Sequence, residues 1–241
     1  MGLNRLDDKI KRPINTFVEQ LRSKLVNNLN SVVLYGSMVS PEYRTKHSDI
    51  NILIVLNKVD IEGLRHIAGL KRKYKFNRIA PLVFSQIHLE NSTDTFPIEF
   101  LDMRENYVIL WGEDCLKDLK IDLKNLKHQC EWELKSKLIQ LQQFYINSQG
   151  ADRALRNFLM KGLPSFIIIF KNILRLKNIV EEKKDKILEK VALEFGLERD
   201  IFNELWQARL GKDKLADAED VFGRFLSNLQ ELSNKVDALS Y

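Results

Sequence analysis

The chain has 241 residues, of which 44% are hydrophobic, and a formal net charge of +5 with a pI of about 9.0. This composition excludes a mainly disordered chain, because disordered proteins lack the apolar side chains that form a core. The length allows one large domain or two small ones. The mild positive charge suits a protein that handles phosphates, and it also suits an ordinary soluble protein.

The cysteine content and the apolar segments bear on the compartment. Cys115 and Cys130 stand in no metal-binding or redox spacing, which favours a reducing cytoplasm. The first residues, MGLNRLDDKIKR, are charged and lack the apolar centre of a secretory signal. Residues 158–174 are the most apolar stretch, but two lysines and a proline interrupt it. We therefore expect a buried helix there, and no membrane span.

Changes in hydrophobic period predict the elements of the first half of the chain. Residues 3–29 carry apolar side chains at steps of three and four, which predicts a helix that Pro13 either starts or kinks. The short apolar segment 31–36 predicts a buried strand that ends at Gly36. The further predicted elements are a strand at 50–56, a helix at 61–70, and strands at 79–89, 96–103 and 106–112.

The second half of the chain shows helical spacing only. The predicted helices span 123–148, 151–178, 184–195, 198–210 and 215–238, and Pro164 is a possible break in the second. We therefore predict an α+β protein with two domains. Residues 1–116 would form a mixed sheet with helices, and residues 117–241 would form an all-α helical bundle.

Polar residues stand where two of the predicted strands meet a loop. Asp49 and Asn51 open the strand at 50–56, and alternate residues of a strand share a face, about 7 Å apart at Cα. Their oxygens suit a hard cation such as Mg²⁺. Gly36 and Ser37 end the preceding strand, where a missing Cβ lets a phosphate approach and a hydroxyl and N–H can bind it.

A third oxygen ligand is expected from a neighbouring strand. The segment DTFPIEFLDMRE offers Glu99 and Asp102. Glu99 stands between two apolar residues of the predicted strand, and buried acids need a partner, so we prefer Glu99. A core acid paired with arginine or lysine is the alternative.

These residues resemble a known signature. A Gly-Ser pair, about ten intervening residues, Asp-x-Asp or Asp-x-Glu at the start of an apolar strand, and a later strand-borne acid are typical of nucleotidyltransferases of the polymerase β type. The segment LYGSMVSPEYRTKHSDINILIVL is similar to this pattern. The helical second half resembles the minimal and kanamycin nucleotidyltransferase-like bacterial proteins. The motif resemblance covers about residues 30–112.

The resemblance implies transfer of a nucleoside monophosphate from a nucleoside triphosphate (NTP) to a hydroxyl, with Mg²⁺ or Mn²⁺ as cofactor. By position, Asp49, Asn51 and Glu99 would bind metal. Asp49 and Glu99 would be the catalytic carboxylates, and Glu99 would orient or deprotonate the acceptor.

The resemblance also implies a nucleotide-binding set. Gly36 and Ser37 would hold the triphosphate. Lys46 and His47, in the loop before the strand at 50–56, could add positive charge near the phosphates, and we include Lys46 in the predicted site.

Two departures from the family pattern open a second interpretation. Ser40-Pro41 stands where Arg-Gly is common, and Asn51 stands where the second carboxylate is expected. The neutral Asn51 weakens the electrostatic stabilisation that dominates catalysis. The alternative is therefore a weakly active or inactive protein of the same fold that binds a nucleotide or a partner, including an antitoxin-like regulator.

The expected partners follow from both interpretations. They are an NTP and a small-molecule or protein acceptor. We do not expect nucleic acid, because no RNA-binding module is recognisable, and we do not expect a membrane. The apolar helix faces allow a homodimer.

Overall fold

The computed structural model describes residues 7–40, 49–74, 76, 78–215 and 217–241. The chain divides into two units, Met1–Asp122 and Leu123–Tyr241, where we had predicted a boundary between residues 116 and 117. All the strands of the described residues belong to the first unit, and the second is helical. The predicted α+β class is confirmed.

Four strands of the first unit form one mixed sheet. They are β1 (Leu29–Tyr35), β2 (Ile50–Leu56), β3 (Ile79–Ser85) and β4 (Tyr107–Gly112). The order across the sheet is β3-β2-β1-β4, with β1 antiparallel to β2 and β4 and with β2 parallel to β3. β2 is nearly continuous in apolar side chains because it lies in the interior of the sheet and both of its faces are covered.

Helices cover both faces of this sheet. On one face, α1 (Asp8–Lys24) contributes Ile14 and Phe17, and α2 (Ile61–Lys73) contributes Ile67, to a core with Ile52 and Ile54 of β2. On the other face, α3 (Gln86–Asn91) and α4 (Pro97–Glu105) pack on the alternate residues of β2. That core contains Val33, Leu53, Val55, Leu89, Phe100 and Met103. Pro13 lies inside α1, which begins at Asp8 with its N-cap Asp7.

Two segments that we predicted as strand are helical. β3 ends at Ser85, whose hydroxyl accepts the N–H of His88 at 3.2 Å and so starts α3. Residues 96–103 form most of α4, with Pro97 in its first turn, a position that proline favours. Phe100 and Met103 are three residues apart and both face the sheet. The prediction of a strand at 96–103 is wrong, because Pro97–Glu105 form a helix whose apolar side chains pack on the sheet.

Five helices form the second unit. They are α5 (Leu123–Ser148), α6 (Asp152–Leu176), α7 (Lys184–Glu194), α8 (Arg199–Arg209) and α9 (Ala218–Asp237). α6 is central and contacts the other four. Its core contains edge-to-face phenylalanine pairs, Phe166 with Phe225 at 5.0 Å and Phe170 with Phe202 at 5.8 Å between ring centroids.

Pro164 does not break α6, contrary to the possibility that we considered. Proline lacks the N–H that the carbonyl of Met160 would normally receive. The guanidinium of Arg209, at the end of α8, donates to this carbonyl instead. Within the described part of the chain, α6 alone is long and apolar enough to cross a membrane, but 50% of its most apolar stretch is buried, as in the central helix of a bundle.

Gly112, at the end of β4, offers a test of the sheet. Its φ is +82°, and a Cβ there would lie 2.0 Å from the carbonyl oxygen of Asn30. We expect Gly112→Ala to lower the free energy of unfolding of the first unit by about 3 kcal/mol or more, from left-handed strain and steric overlap. Urea denaturation monitored by circular dichroism measures the change.

Gly69→Ala is the matched control, because Gly69 lies within α2 and a Cβ there would meet no atom within 4 Å. Alanine at that position should leave stability unchanged or raise it by up to about 1 kcal/mol. Equal stabilities of the two variants would contradict the described path of β4.

Candidate functional site

The Gly-Ser pair forms a tight corner at the end of β1. Gly36 has a φ of +82°, in the left-handed region that favours glycine, and a short 3₁₀ turn, Gly36–Met38, follows. The buried Met38 side chain holds this turn against the core, while Ser37 is exposed. The N–H of Gly36 donates to the carbonyl of Asn106 at 3.0 Å. Gly36 therefore provides space at the corner, and its own N–H is already engaged.

Asn51 lies directly beside this corner. Tyr35, the last residue of β1, pairs with Asn51 in the antiparallel register. A Cβ on Gly36 would be 3.2 Å from Asn51 Nδ2, so the amide occupies the side of Gly36 that any other residue would fill. Asp49 is exposed and stands one residue before β2. By strand alternation, it projects from the same face of the sheet as Asn51.

The neighbouring strands add no carboxylate at the level of Asn51. Across the sheet, Ala80 of β3 is the partner of Asn51, and Tyr107 of β4 is the partner of Tyr35. The row at this end of the sheet is therefore alanine, asparagine and two tyrosines. In the parts of the chain that the structure describes, no three His, Cys, Asp or Glu side chains come together as a metal site.

Both tyrosines of this row are held in the neutral form. Burial raises the pKa of Tyr35. Burial, together with the hydrogen bond that Tyr107 donates to Asp114 Oδ2 at 2.9 Å, raises the pKa of Tyr107 to about 12. The other oxygen of Asp114 accepts the N–H groups of Leu116 and Lys117. Neither tyrosine can therefore serve as a base near neutral pH.

Glu99 is not where we predicted it. It is exposed and lies in the first turn of α4, and it does not stand within a buried strand. The neighbouring Phe100 packs on Phe84, the partner of Val55 near the far end of β2. Glu99 is in the first turn of α4, whereas the last turn leads to Asn106 at the corner. The argument for Glu99 from burial fails.

Because this segment is a helix, the acid of α4 that lies closest along the chain to the corner is Glu105, and not Glu99. Glu105 ends α4, is half-buried and directly precedes Asn106, whose carbonyl binds Gly36. Glu105 and Glu99 are separated along the helix by about 9 Å at 1.5 Å per residue. Sequence reasoning missed Glu105 because it treated residues 96–103 as extended. Lys46 and His47 lie outside the described residues.

Arg78 is a second residue that sequence reasoning missed. Its carbonyl accepts the N–H of Ile50 at 2.7 Å, and it directly precedes β3. Because β3 runs parallel to β2, Arg78 stands beside Asp49. The signal in the sequence was that both residues immediately precede a strand, but the parallel pairing could not be known.

A cavity of about 730 Å³ lies elsewhere, between α7 and α8. Phe202 and Trp206 line it together with charged residues such as Glu189 and Arg199. None of the predicted site residues borders this cavity. The predicted site residues that the structure describes therefore lie outside this cavity.

Comparison with solved structures supports the fold. No family model matches the chain, and no curated protein matches it in sequence. Among solved structures, the chain is similar to the spectinomycin adenyltransferase AAD(9) from Enterococcus faecialis, determined with ATP and spectinomycin. The similarity has a TM-score of 0.56 at 15% sequence identity and covers 94% of this chain and 98% of that one. The chain therefore has the fold of a nucleotidyltransferase with a helical C-terminal part.

Proposed function

We propose that the protein binds an NTP and a divalent cation at the Gly36-Ser37 corner and transfers the nucleoside monophosphate to a hydroxyl. The observation that carries this proposal is the contact between the Asn51 amide and Gly36, with Asp49 on the same face. It brings a tight glycine turn and the exposed Ser37 next to the oxygens that a hard cation prefers.

The residues at the corner fit one cation. Asp49 offers a carboxylate, and Asn51 offers an amide oxygen on the side of the amide away from Gly36. Mg²⁺ or Mn²⁺ accepts such oxygens and retains several waters. When bound, the cation would polarise a phosphoryl oxygen. The residues do not fit two cations, because Asp49 is the only carboxylate that the described residues place at the start of β2.

The chain itself would position the phosphates. Gly36 turns the chain so that Ser37 is exposed, and the Ser37 hydroxyl can donate to a phosphate oxygen. Activation of the acceptor by Glu99 has no geometric support, and Glu105 is the carboxylate of α4 closest along the chain to the corner. With few charges to stabilise the transition state, we expect slow turnover.

A small-molecule acceptor is favoured over a protein. The similar enzyme AAD(9) is a spectinomycin adenyltransferase, and the likeness extends over the helical unit of this chain as well. We propose the cytoplasm as the compartment, because the two cysteines are buried, unpaired and suited to a reducing environment.

The second candidate function is binding without transfer. Asn51 in place of a carboxylate, with Ala80 as its neighbour on β3, favours this function. Such a protein would hold a nucleotide at the corner as a regulator or a partner-binding module. The two candidates differ in whether pyrophosphate is released.

A transfer assay separates the candidates. The protein is incubated with each α-labelled NTP, Mg²⁺ or Mn²⁺, and either the small-molecule or the protein fraction of a cell extract. We expect slow labelling of a small molecule with release of pyrophosphate, its loss by at least about 100-fold in Asp49→Ala, and its acceleration in Asn51→Asp.

Asn27→Asp is the matched control, because it makes the same chemical change at an exposed position. Asn27 lies two residues before β1 begins, at the end of the strand away from Gly36. Its rate should equal that of the native protein. Transfer by Asn51→Asp alone would support binding without catalysis in the native chain. An absence of transfer by every variant would refute the enzymatic proposal.

Nucleotide binding offers a test that does not require turnover. Gly36→Ala introduces a Cβ 3.2 Å from Asn51 Nδ2 at a φ of +82° and should displace the amide. We expect about a 5- to 30-fold loss of NTP affinity in calorimetry if restoring the corner on binding costs about 1–2 kcal/mol. Gly211→Ala has similar strain, at a φ of +72° in the helical unit, and should bind normally. Equal affinities would place the nucleotide elsewhere.

A further inference from the structure

We infer that Arg78 binds the triphosphate directly and supplies the positive charge that a second metal ion would otherwise provide. This inference rests on the proposed nucleotide site, but it concerns which group of this chain holds the phosphates. It predicts that phosphate binding depends on a guanidinium and persists when the divalent cation is removed.

The backbone fixes the position of Arg78. The pairing of Ile50 with Ile79 and of Asn51 with Ala80 defines the parallel register of β2 and β3. The hydrogen bond from the N–H of Ile50 to the carbonyl of Arg78, at 2.7 Å, extends this pairing by one residue. Arg78 is therefore the lateral neighbour of Asp49, about 4.8 Å away between strands.

The burial of neighbouring residues indicates the face of the sheet on which Arg78 lies. Ile50 and Ile79 are both buried in the core with α1 and α2. Residues that directly precede or follow a buried strand residue point to the opposite face of the sheet, so Asp49 and Asn51 lie on the face away from this core. The same alternation places Arg78 on that face, and Arg78 and Asp49 are both exposed.

The charges at the corner make an anion the expected ligand of Arg78. A site with several carboxylates must recruit cations before it can accept a triphosphate, because like charges repel. Among the described residues at this end of β2 and β3, Asn51 is neutral and Ala80 is apolar, so the charge of Arg78 opposes that of Asp49 even without metal. A divalent cation bound by Asp49 would make these two strand ends net positive.

Arginine also has the geometry for this task. Its planar guanidinium presents paired N–H donors that match two phosphate oxygens, and such charge-assisted hydrogen bonds are stronger than neutral ones. Because Asp49 projects beside it, the two side chains can hold a phosphate and its cation side by side. Removing an arginine that only paired with a surface carboxylate would not change the preference between phosphate chain lengths.

Inorganic tripolyphosphate is the probe, because it requires no knowledge of the preferred base. Its affinity is measured by calorimetry in EDTA and in Mg²⁺, and it is compared with that of inorganic phosphate. We expect the native protein to bind tripolyphosphate in EDTA and to prefer it over phosphate. Arg78→Ala should reduce the affinity about 10- to 100-fold and remove that preference.

Two further variants separate phosphate binding from a structural role. Arg78→Lys keeps the charge without the planar fork and should recover part of the affinity, with a similar salt dependence. Arg72→Ala removes an exposed arginine from the last turn of α2 and should bind as the native protein does. Circular dichroism should show the same folding for all variants.

The outcomes are independent of nucleotidyl transfer. Native affinity in Arg78→Ala, or a native protein that binds no tripolyphosphate in EDTA, would overturn the inference even if transfer is observed. Arg78-dependent binding without any transfer would leave the inference standing while the enzymatic proposal fails.

Discussion

The pairing of β1 with β2 up to the Tyr35–Asn51 pair is the constraint on which the site depends. The next residue after this pair is Gly36, whose left-handed backbone turns the chain and leaves the space that the Asn51 amide fills. A slip of one residue would turn Asn51 into the core with α1 and α2 and move Ile50 and Ile52 out of that core to the other face. Each isoleucine contributes about 1.5–3 kcal/mol through burial, so the core that stabilises the sheet also fixes the corner.

The charge at the corner follows from the same strands. Asp49 and Arg78 precede two parallel strands, and their side-by-side position is a consequence of the β2–β3 register. A cluster of carboxylates would be destabilising without metal, because each negative charge raises the cost of ionising the next. One carboxylate, one amide and one guanidinium avoid this cost. The site that we propose would therefore form before any cation binds, unlike a site built around two metal ions.

Much of this arrangement was predictable from local patterns. β1 and β2 are short apolar runs bounded by Gly36 and by polar residues. Because both faces of these strands are buried, their sequences are nearly continuously apolar and can be told apart from the flanking loops. The helices of the second unit follow from sustained helical spacing. The prediction for residues 96–103 was wrong because the periodicity of a short apolar run fits a strand and a buried helix equally well. Pro97, followed two residues later by an acid, was the helix signal that should have decided it.

The parts of the site that were missed are those that depend on pairing between distant segments. Arg78 becomes relevant only when β3 is known to run parallel to β2, and Glu105 only when α4 is known to end at the corner. Both facts depend on tertiary contacts that no local pattern encodes.

The helical α4 also changes how the corner can hold a phosphate. Because α4 ends at Asn106, the carbonyl of Asn106 reaches Gly36 and takes up its N–H at 3.0 Å. This hydrogen bond pins the corner to the strand β4, but it removes one backbone donor from any ligand. In the nucleotide site that we propose, the phosphate contacts would come from Ser37 and from side chains on the neighbouring strand ends. Arg78, beside Asp49, would then supply hydrogen bonds that the engaged N–H of Gly36 does not donate.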